Sequence, residues 1–261
     1  MKVLILTGSV TGAAAHAAPL LLKEPGIELK MVIYNEGQIT NKKKHYLKKV
    51  KKIFKIGVFG VFNGLRMREW FGKNAENLLP PVNLETFCMQ NNIPFKKTPT
   101  INCADTKELF KKANADIGVS LGNSYISKSV FSLCPMGMIN IHGEILPDYQ
   151  NAQSIIWQIH NGSTETGFTI HKINHHIDKG DILYLEKFPI VFKHSLAETI
   201  AFNCAEITVK ACTALVKVIK NYTYYSTQSR QQGIGSHYTT PNRKQFKQIK
   251  KQFSLLKNTS A

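Results

Sequence analysis

Apolar residues run through the first half of the chain in short continuous blocks, each closed by turn residues and followed by a helical period. Residues 3–7 form the first block, and Gly8-Ser-Val-Thr-Gly12 closes it. Blocks of this kind read as strands buried on both faces. Ala13 to Lys23 reads as a helix with a kink at Pro19, and residues 27–34 as a second strand. Asn83 can cap a short helix to Asn92, with a strand following near 93–97. Asp105-Thr-Lys-Glu108 opens another helix, its acids in the first turn, where the dipole favours them. Residues 116–121 and 137–142 are buried strands. Ala152 to His160 is a helix ending at Gly162, and residues 167–173 and 182–191 are strands. Ser195-Leu-Ala-Glu198 is a capping box that starts a long helix to about Lys220. A loop over 233–241 and a terminal helix follow, and no segment repeats. Strands alternating with helices predict a mostly parallel sheet, so the fold class is α/β, Rossmann-like, with helices flanking the sheet. The expected organisation is a main domain over 1–225 carrying a basic helical insertion at about 40–80, and a basic carboxyl-terminal extension over 226–261.

Composition changes this picture in one respect, its charge. The formal net charge of +17 is concentrated. Residues 41–73 hold eleven Lys or Arg against Glu69 alone, and residues 242–257 hold six with no acid. The rest of the chain is close to neutral, so two basic segments sit on a neutral body. That arrangement points to an anionic partner or to a solvated lysine face. In the first segment Leu47, Val50 and Phe54 recur at helical spacing, giving one apolar and one cationic side. The leading expectation is a helix packed on the body with its lysines in solvent. An interfacial helix on anionic lipid and a surface for RNA phosphates are the alternatives for 41–73. The five cysteines are scattered without a C-x-x-C pair, which argues against a zinc site or a disulfide framework and points to a reducing, cytoplasmic compartment. No signal peptide and no membrane span of ~20 apolar residues is expected.

Candidate chemistry lies in Gly137-Met-Ile-Asn-Ile-His142. Residues two apart on a strand share a face, so Asn140 and His142 are presented together at the end of an apolar run. Further on, the Ile177-Asp178-Lys-Gly-Asp181 turn supplies a carboxylate. An amide, an imidazole and a carboxylate can together serve acyl transfer. The imidazole moves a proton, the amide N–H faces a developing oxyanion, and the carboxylate orients the imidazole. No Ser or Cys nucleophile stands beside the His, which favours direct transfer over a covalent enzyme intermediate. Each residue taken alone could equally satisfy a strand end or a turn, and spacing does not decide between the two. The Gly8–Gly12 turn can present backbone N–H groups to an anion or can be an unliganded tight turn. His175 and His176 are adjacent and are expected to point opposite ways in an extended segment, so no metal site is assigned.

Asn140-Ile-His142, Leu146-Pro147, Asn161-Gly162, Thr166-Gly167-Phe-Thr-Ile-His171 and Asp178-Lys-Gly180-Asp181-Ile182 resemble, in this order, the folate-dependent formyltransferases. That group includes the glycinamide-ribonucleotide, methionyl-tRNA and amino-sugar-nucleotide formyltransferases. The resemblance covers roughly 116–190 strongly. It implies that Asn140, His142 and Asp178 are catalytic and that 10-formyltetrahydrofolate is the formyl donor. It also implies that Gly122, Ser124, Tyr125 and Ile126, with His176 and Ile177, bind the folate. Gly8, Ser9 and Thr11 would face the acceptor, as would Gln150 and Asn151, with Thr169 and His171 supporting the site. The chain departs from the family at Gly143-Glu144-Ile145, where a small residue and then Ser or Leu are usual. It departs again at Tyr149-Gln150-Asn151, where an aromatic or basic residue precedes a Gly.

The expected acceptor is a primary amine, anionic as a whole, on an amino-sugar nucleotide or a related surface-glycan precursor. The residues after the long helix are too few for the added β-barrel of the tRNA enzymes, and the glycinamide-ribonucleotide enzymes lack the basic insertion. Both remain alternatives, as does a hydrolase in which water replaces the amine. A reading from another class is a basic RNA- or membrane-binding module without catalysis.

Overall fold

A computed structural model describes residues 1–39, 41–151 and 155–259 of the 261-residue chain. Its centre is a seven-stranded sheet in the order β3-β2-β1-β4-β5-β6-β7. The strands are β1 (Lys2–Thr7), β2 (Glu28–Asn35), β3 (Phe95–Thr98), β4 (Ile117–Leu121), β5 (Met138–His142), β6 (Glu165–Lys172) and β7 (Ile182–Pro189). The first five are parallel, and β6 and β7 join antiparallel.

The apolar blocks are explained by a core on each face of the sheet. Val3, Ile5, Ile117, Val119 and Ile139 belong to one core. The alternate residues Leu4, Leu6, Met31, Ile33 and Met138 belong to the other. A strand buried on both sides must be apolar at every position, which is why these blocks show no alternation.

The first core is covered by α1 (Ala13–Lys23), which continues through Pro19, and by α7 (Leu196–Lys220). The second is covered by α4 (Ala104–Ala113) and the short α5 (Lys128–Phe131). The predicted capping box starts α7: Glu198 N donates to Ser195 Oγ and Ser195 N donates to Glu198 Oε2, both at 3.2 Å. This helix is long and apolar enough to cross a membrane, but most of its apolar window is buried in the protein, as in a core helix. Asn83 caps α3 (Leu84–Gln90), accepting from Thr86 N at 3.0 Å. The helix expected over 152–160 is described only as α6 (Ile156–His160), because Ala152–Ser154 lie outside the described residues.

The basic insertion forms α2 (Lys42–Glu69), broken at Gly57 by a left-handed φ of 71°, and it runs into a π turn at Trp70–Asn74. After α8 (Tyr222–Thr227) the chain returns to the body in α9 (Arg243–Thr259). There Phe246 and Ile249 are buried in the first core, and the Phe246 ring lies 6.3 Å from that of Trp70. The extension after residue 225 is thus packed on α6 and α2.

One expectation fails at α2. The apolar side that includes Leu47 and Phe54 does not face the body: Phe54 is 85% exposed and Leu47 51% exposed. The buried stripe is Ile56, Gly60, Asn63 and Met67, continuing to Trp70. The left-handed glycine uncouples the faces of the two half-helices, so the period read across it did not identify the packed side.

Candidate active site

The carboxyl ends of β1, β4 and β5 lie side by side, which is where open α/β sheets form ligand crevices. An open cleft of about 390 Å³ occupies this edge, a size suited to a small-molecule site. Asn140, His142 and Asp178 line it, as do Gly122, Ser124, Tyr125, Ile126, His176 and Ile177. Nine residues from three separate stretches of chain therefore meet in one place, with Asn151 and His171 beside them.

Strand register sets the first contacts. Asn140 pairs with His171 across the β5–β6 ladder, and His142 pairs with Thr169. All four side chains share a face. Asn140 Nδ2 lies 3.2 Å from His171 Nε2, and His171 Nδ1 lies 2.9 Å from the Lys172 carbonyl. A carbonyl only accepts, so Nδ1 carries the proton and Nε2 accepts from Asn140. Burial pushes the His171 pKa down to about 4, which keeps the ring neutral. The buried imidazole therefore holds the Asn140 amide in one orientation.

His142 is fixed at its other edge. Its Nε2 donates to the Tyr149 carbonyl at 2.9 Å, and its Nδ1 lies 3.7 Å from Asp178 Oδ2. The second Asp178 oxygen lies 3.8 Å from His171 Nε2. Asp178 takes a left-handed φ of 54°, which an aspartate tolerates better than most residues. Its Oδ2 also accepts from Asn151 N at 3.1 Å. The turn is held against β6 at Gly180, where a Cβ would stand 1.6 Å from the Lys172 carbonyl oxygen. Only glycine fits there.

The departures from the family pattern have physical readings. Asn151, where the family usually has Gly, sits at φ 52°, a left-handed position that asparagine accepts. Glu144 is fully buried, and burial raises its pKa well above the carboxylate range. Among the described residues its side chain meets the Gln158 side-chain amide, itself fully buried, and burial favours its protonated form.

Five expected site residues do not line the cleft. Thr169 is fully buried: its hydroxyl donates to the Glu144 carbonyl at 2.8 Å and accepts from Leu146 N at 3.0 Å, tying the 143–147 loop to β6. Gln150 is 2% exposed and lies under the 233–238 segment, its backbone bonded to Ser236 O and Tyr238 N. Gly8, Ser9 and Thr11 form a turn closed on itself, in which Ser9 Oγ and Thr11 Oγ1 are 3.1 Å apart and Thr11 Oγ1 donates to Glu76 Oε2 at 3.0 Å. A carboxylate at that turn opposes a bound phosphate. His175 and His176 also differ from expectation, with ring centroids 4.0 Å apart, because their segment is a turn and not an extended strand. Among the described residues no group of three or more His, Cys, Asp or Glu side chains could hold a metal ion.

The sequence reading missed the braces. Asn123 donates to the Leu6 carbonyl at 2.6 Å and accepts from Asn35 Nδ2 at 2.8 Å, pinning the 122–126 loop to β1 and β2. Asn102 holds the other end through Tyr125 O and Ser127 N. Tyr238 stacks on Tyr149 at 5.5 Å and packs against Trp157 at 4.8 Å, clamping the carbonyl that receives His142. Asparagines after strand ends were the one available signal, since they bond backbone readily.

A family model described as formyl transferase matches residues 81–219, just over half of the chain. The methionyl-tRNA formyltransferase of Porphyromonas gingivalis is 29% identical over 118 residues, covering 45% of this chain and 36% of that protein. That of Kosmotoga olearia is 31% identical over 147 residues, covering 56% and 45%. The chain thus spans less than half the length of these relatives. Among solved structures, an N-formyltransferase from Helicobacter canadensis in complex with folinic acid and dTDP-3-aminofucose aligns at TM-score 0.56 and 20% identity, covering 94% of this chain and 72% of that one. The phosphoribosylglycinamide formyltransferase of Anaplasma phagocytophilum aligns at TM-score 0.58 and 14% identity, covering 91% and 99%. These two likenesses show the fold, and with the matched residues of the family model they lead to one conclusion: the chain belongs to the formyl transferase family.

Proposed function

We propose that the protein transfers the formyl group of 10-formyltetrahydrofolate to a primary amine, with Asn140, His142 and Asp178 as the catalytic residues. The observation that carries this reading is their convergence with a neutral His171 on one cleft. The cleft wall formed by Gly122, Ser124, Tyr125 and Ile126, with His176 and Ile177 opposite, would hold the pterin end of the donor. The amine nitrogen attacks the formyl carbon, and the carbonyl oxygen takes up negative charge. Asn140, its amide oriented by His171, donates a hydrogen bond to that oxygen. With its Nε2–H bonded to the Tyr149 carbonyl, His142 presents Nδ1 beside the Asp178 carboxylate, and a proton taken up at Nδ1 is shared with the oxyanion. The attacking nitrogen loses its proton to Asp178, directly or through water. Collapse breaks the bond from the formyl carbon to N10 of the folate, and N10 takes a proton as tetrahydrofolate leaves.

The proposed acceptor is an amino-sugar nucleotide. This rests on the Helicobacter canadensis neighbour, whose complex holds dTDP-3-aminofucose and whose fold covers nearly all of this chain. Asn151, on the cleft, is the residue proposed to meet the acceptor, while Gln150, Gly8, Ser9 and Thr11 act on it at most through backbone position. A second reading, transfer to methionyl-tRNA, is favoured by the sequence relatives and by the cationic α2. The five free cysteines accord with a reducing, cytoplasmic compartment.

The test is a panel of amines offered with 10-formyltetrahydrofolate: nucleotide-linked amino sugars, glycinamide ribonucleotide, charged initiator tRNA and no amine. Formylation of an amino sugar, absent with His142→Ala, is the expected outcome. Formylation of the tRNA alone would replace the acceptor, and folate release without any amine would replace transferase by hydrolase.

A further inference from the structure

We propose that α2 is an interfacial helix that docks this protein on the surface of an anionic lipid bilayer. The proposal does not depend on which amine is formylated.

The two halves of α2 each present an apolar face to solvent. At about 100° per residue, Tyr46, Leu47, Val50, Ile53 and Phe54 fall within an arc of about 120° on the half before Gly57. Lys48, Lys51, Lys52 and Lys55 fall outside that arc. Tyr46 is 68% exposed and Phe54 85% exposed, so this arc is not spent on the protein core. Beyond Gly57, Val58, Phe62 and Leu65 line one face at 65%, 64% and 57% exposure, roughly opposite the buried stripe of Gly60, Asn63 and Met67. The second half of α2 is thus buried on one side and apolar on the opposite, exposed side.

Charge supports the same occupant. Eleven cations stand against one acid in residues 41–73, and α9 adds six more beside it. Among the described residues no ion pair engages a lysine or arginine of α2 or α9. Arg66, Arg243, Lys247 and Lys250 ring an aromatic floor of Phe59, Phe62 and Phe246. Cations around exposed aromatic and branched aliphatic side chains match the interface of a bilayer, where headgroup phosphates lie above acyl chains. RNA would satisfy the cations and could stack bases on Tyr46, Phe54 and Phe62, but it would leave the exposed aliphatic Leu47, Ile53, Val58 and Leu65 in water, where acyl chains would bury them. The strand that precedes α2 in the chain, β2, ends at Asn35, whose side chain bonds Asn123 of the cleft-lining 122–126 loop.

The experiment is flotation of the full chain with vesicles of phosphatidylglycerol and phosphatidylethanolamine, with phosphatidylcholine vesicles for comparison. Binding to the anionic vesicles, weakened by salt, is expected. Phe54→Ser with Phe62→Ser, or Lys48, Lys49, Lys51 and Lys52 all changed to Gln, should each weaken it by about tenfold or more. A Phe54→Trp protein, which leaves the face apolar, should show a blue-shifted emission on those vesicles and none on phosphatidylcholine. Absence of vesicle binding at low salt would overturn the proposal. So would a Phe54→Trp emission that stays unshifted while a transfer RNA displaces the protein from the vesicles, which would assign the face to nucleic acid.

Discussion

The cleft and the α2 surface are built on opposite terms. In the cleft each polar side chain that matters is held by another group. Asn140 is held by His171, His142 by Tyr149 O, and Asp178 by Asn151 N. On α2, among the described residues, no lysine or arginine makes an ion pair and the aromatics are unburied. Catalysis needs charge stabilisers fixed in advance, whereas surface association needs only density of charge and apolar area. Substitutions in the cleft should therefore change rate, and substitutions on α2 should change location and leave rate intact.

The largest effect should come from the oxyanion donors. His142→Ala and Asn140→Ala should each lower kcat by about 10² or more, read as tetrahydrofolate release at saturating substrates. Near-normal turnover in both would erase the distinction between the two regions. Smaller, and more specific to the cleft, is His171→Gln. If His171 acts only by orienting Asn140, kcat should fall by about tenfold with the amine KM unchanged.

The same variant tests the protonation state. The native pKa of His171 is about 4, against about 6.5 unfolded, so the unfolded chain binds the extra proton between those values. Stability gained by keeping His171 neutral is full above about pH 6.5 and is lost as pH falls toward 4. Chemical denaturation over that window should show a slope on the order of one proton, and His171→Gln should flatten it. Glu144 gives the opposite sign. Its raised pKa means Glu144→Gln should stabilise the protein by a margin that grows as pH rises above the carboxylate range. The smallest effect lies far from both regions: Ser195→Ala removes the α7 cap and should cost about 1 kcal/mol, with kcat untouched.

What the sequence revealed follows from how local each signal is. The doubly buried strands announce themselves as apolar blocks, and Asn140 and His142 share a face because a strand repeats every two residues. The α7 cap is written within four residues. Contacts between distant segments leave no such trace. Glu76 reaches Thr11 across 65 positions, and residues 233–238 cover Gln150 from the far end of the chain. The free apolar face of α2 was visible as a period, but its orientation was not. That depends on one left-handed glycine and on whether the body has a matching surface, neither of which periodicity records.

The measurement that tests the central claim most directly is transfer of labelled formyl from 10-formyltetrahydrofolate to an amine, compared between the wild-type protein and His142→Ala. The account predicts labelled formyl-amine from the wild type and a rate lower by about 10² or more in the variant, with folate still bound by both. Equal transfer by the two proteins would contradict it, as would a wild-type protein that binds no folate in the cleft.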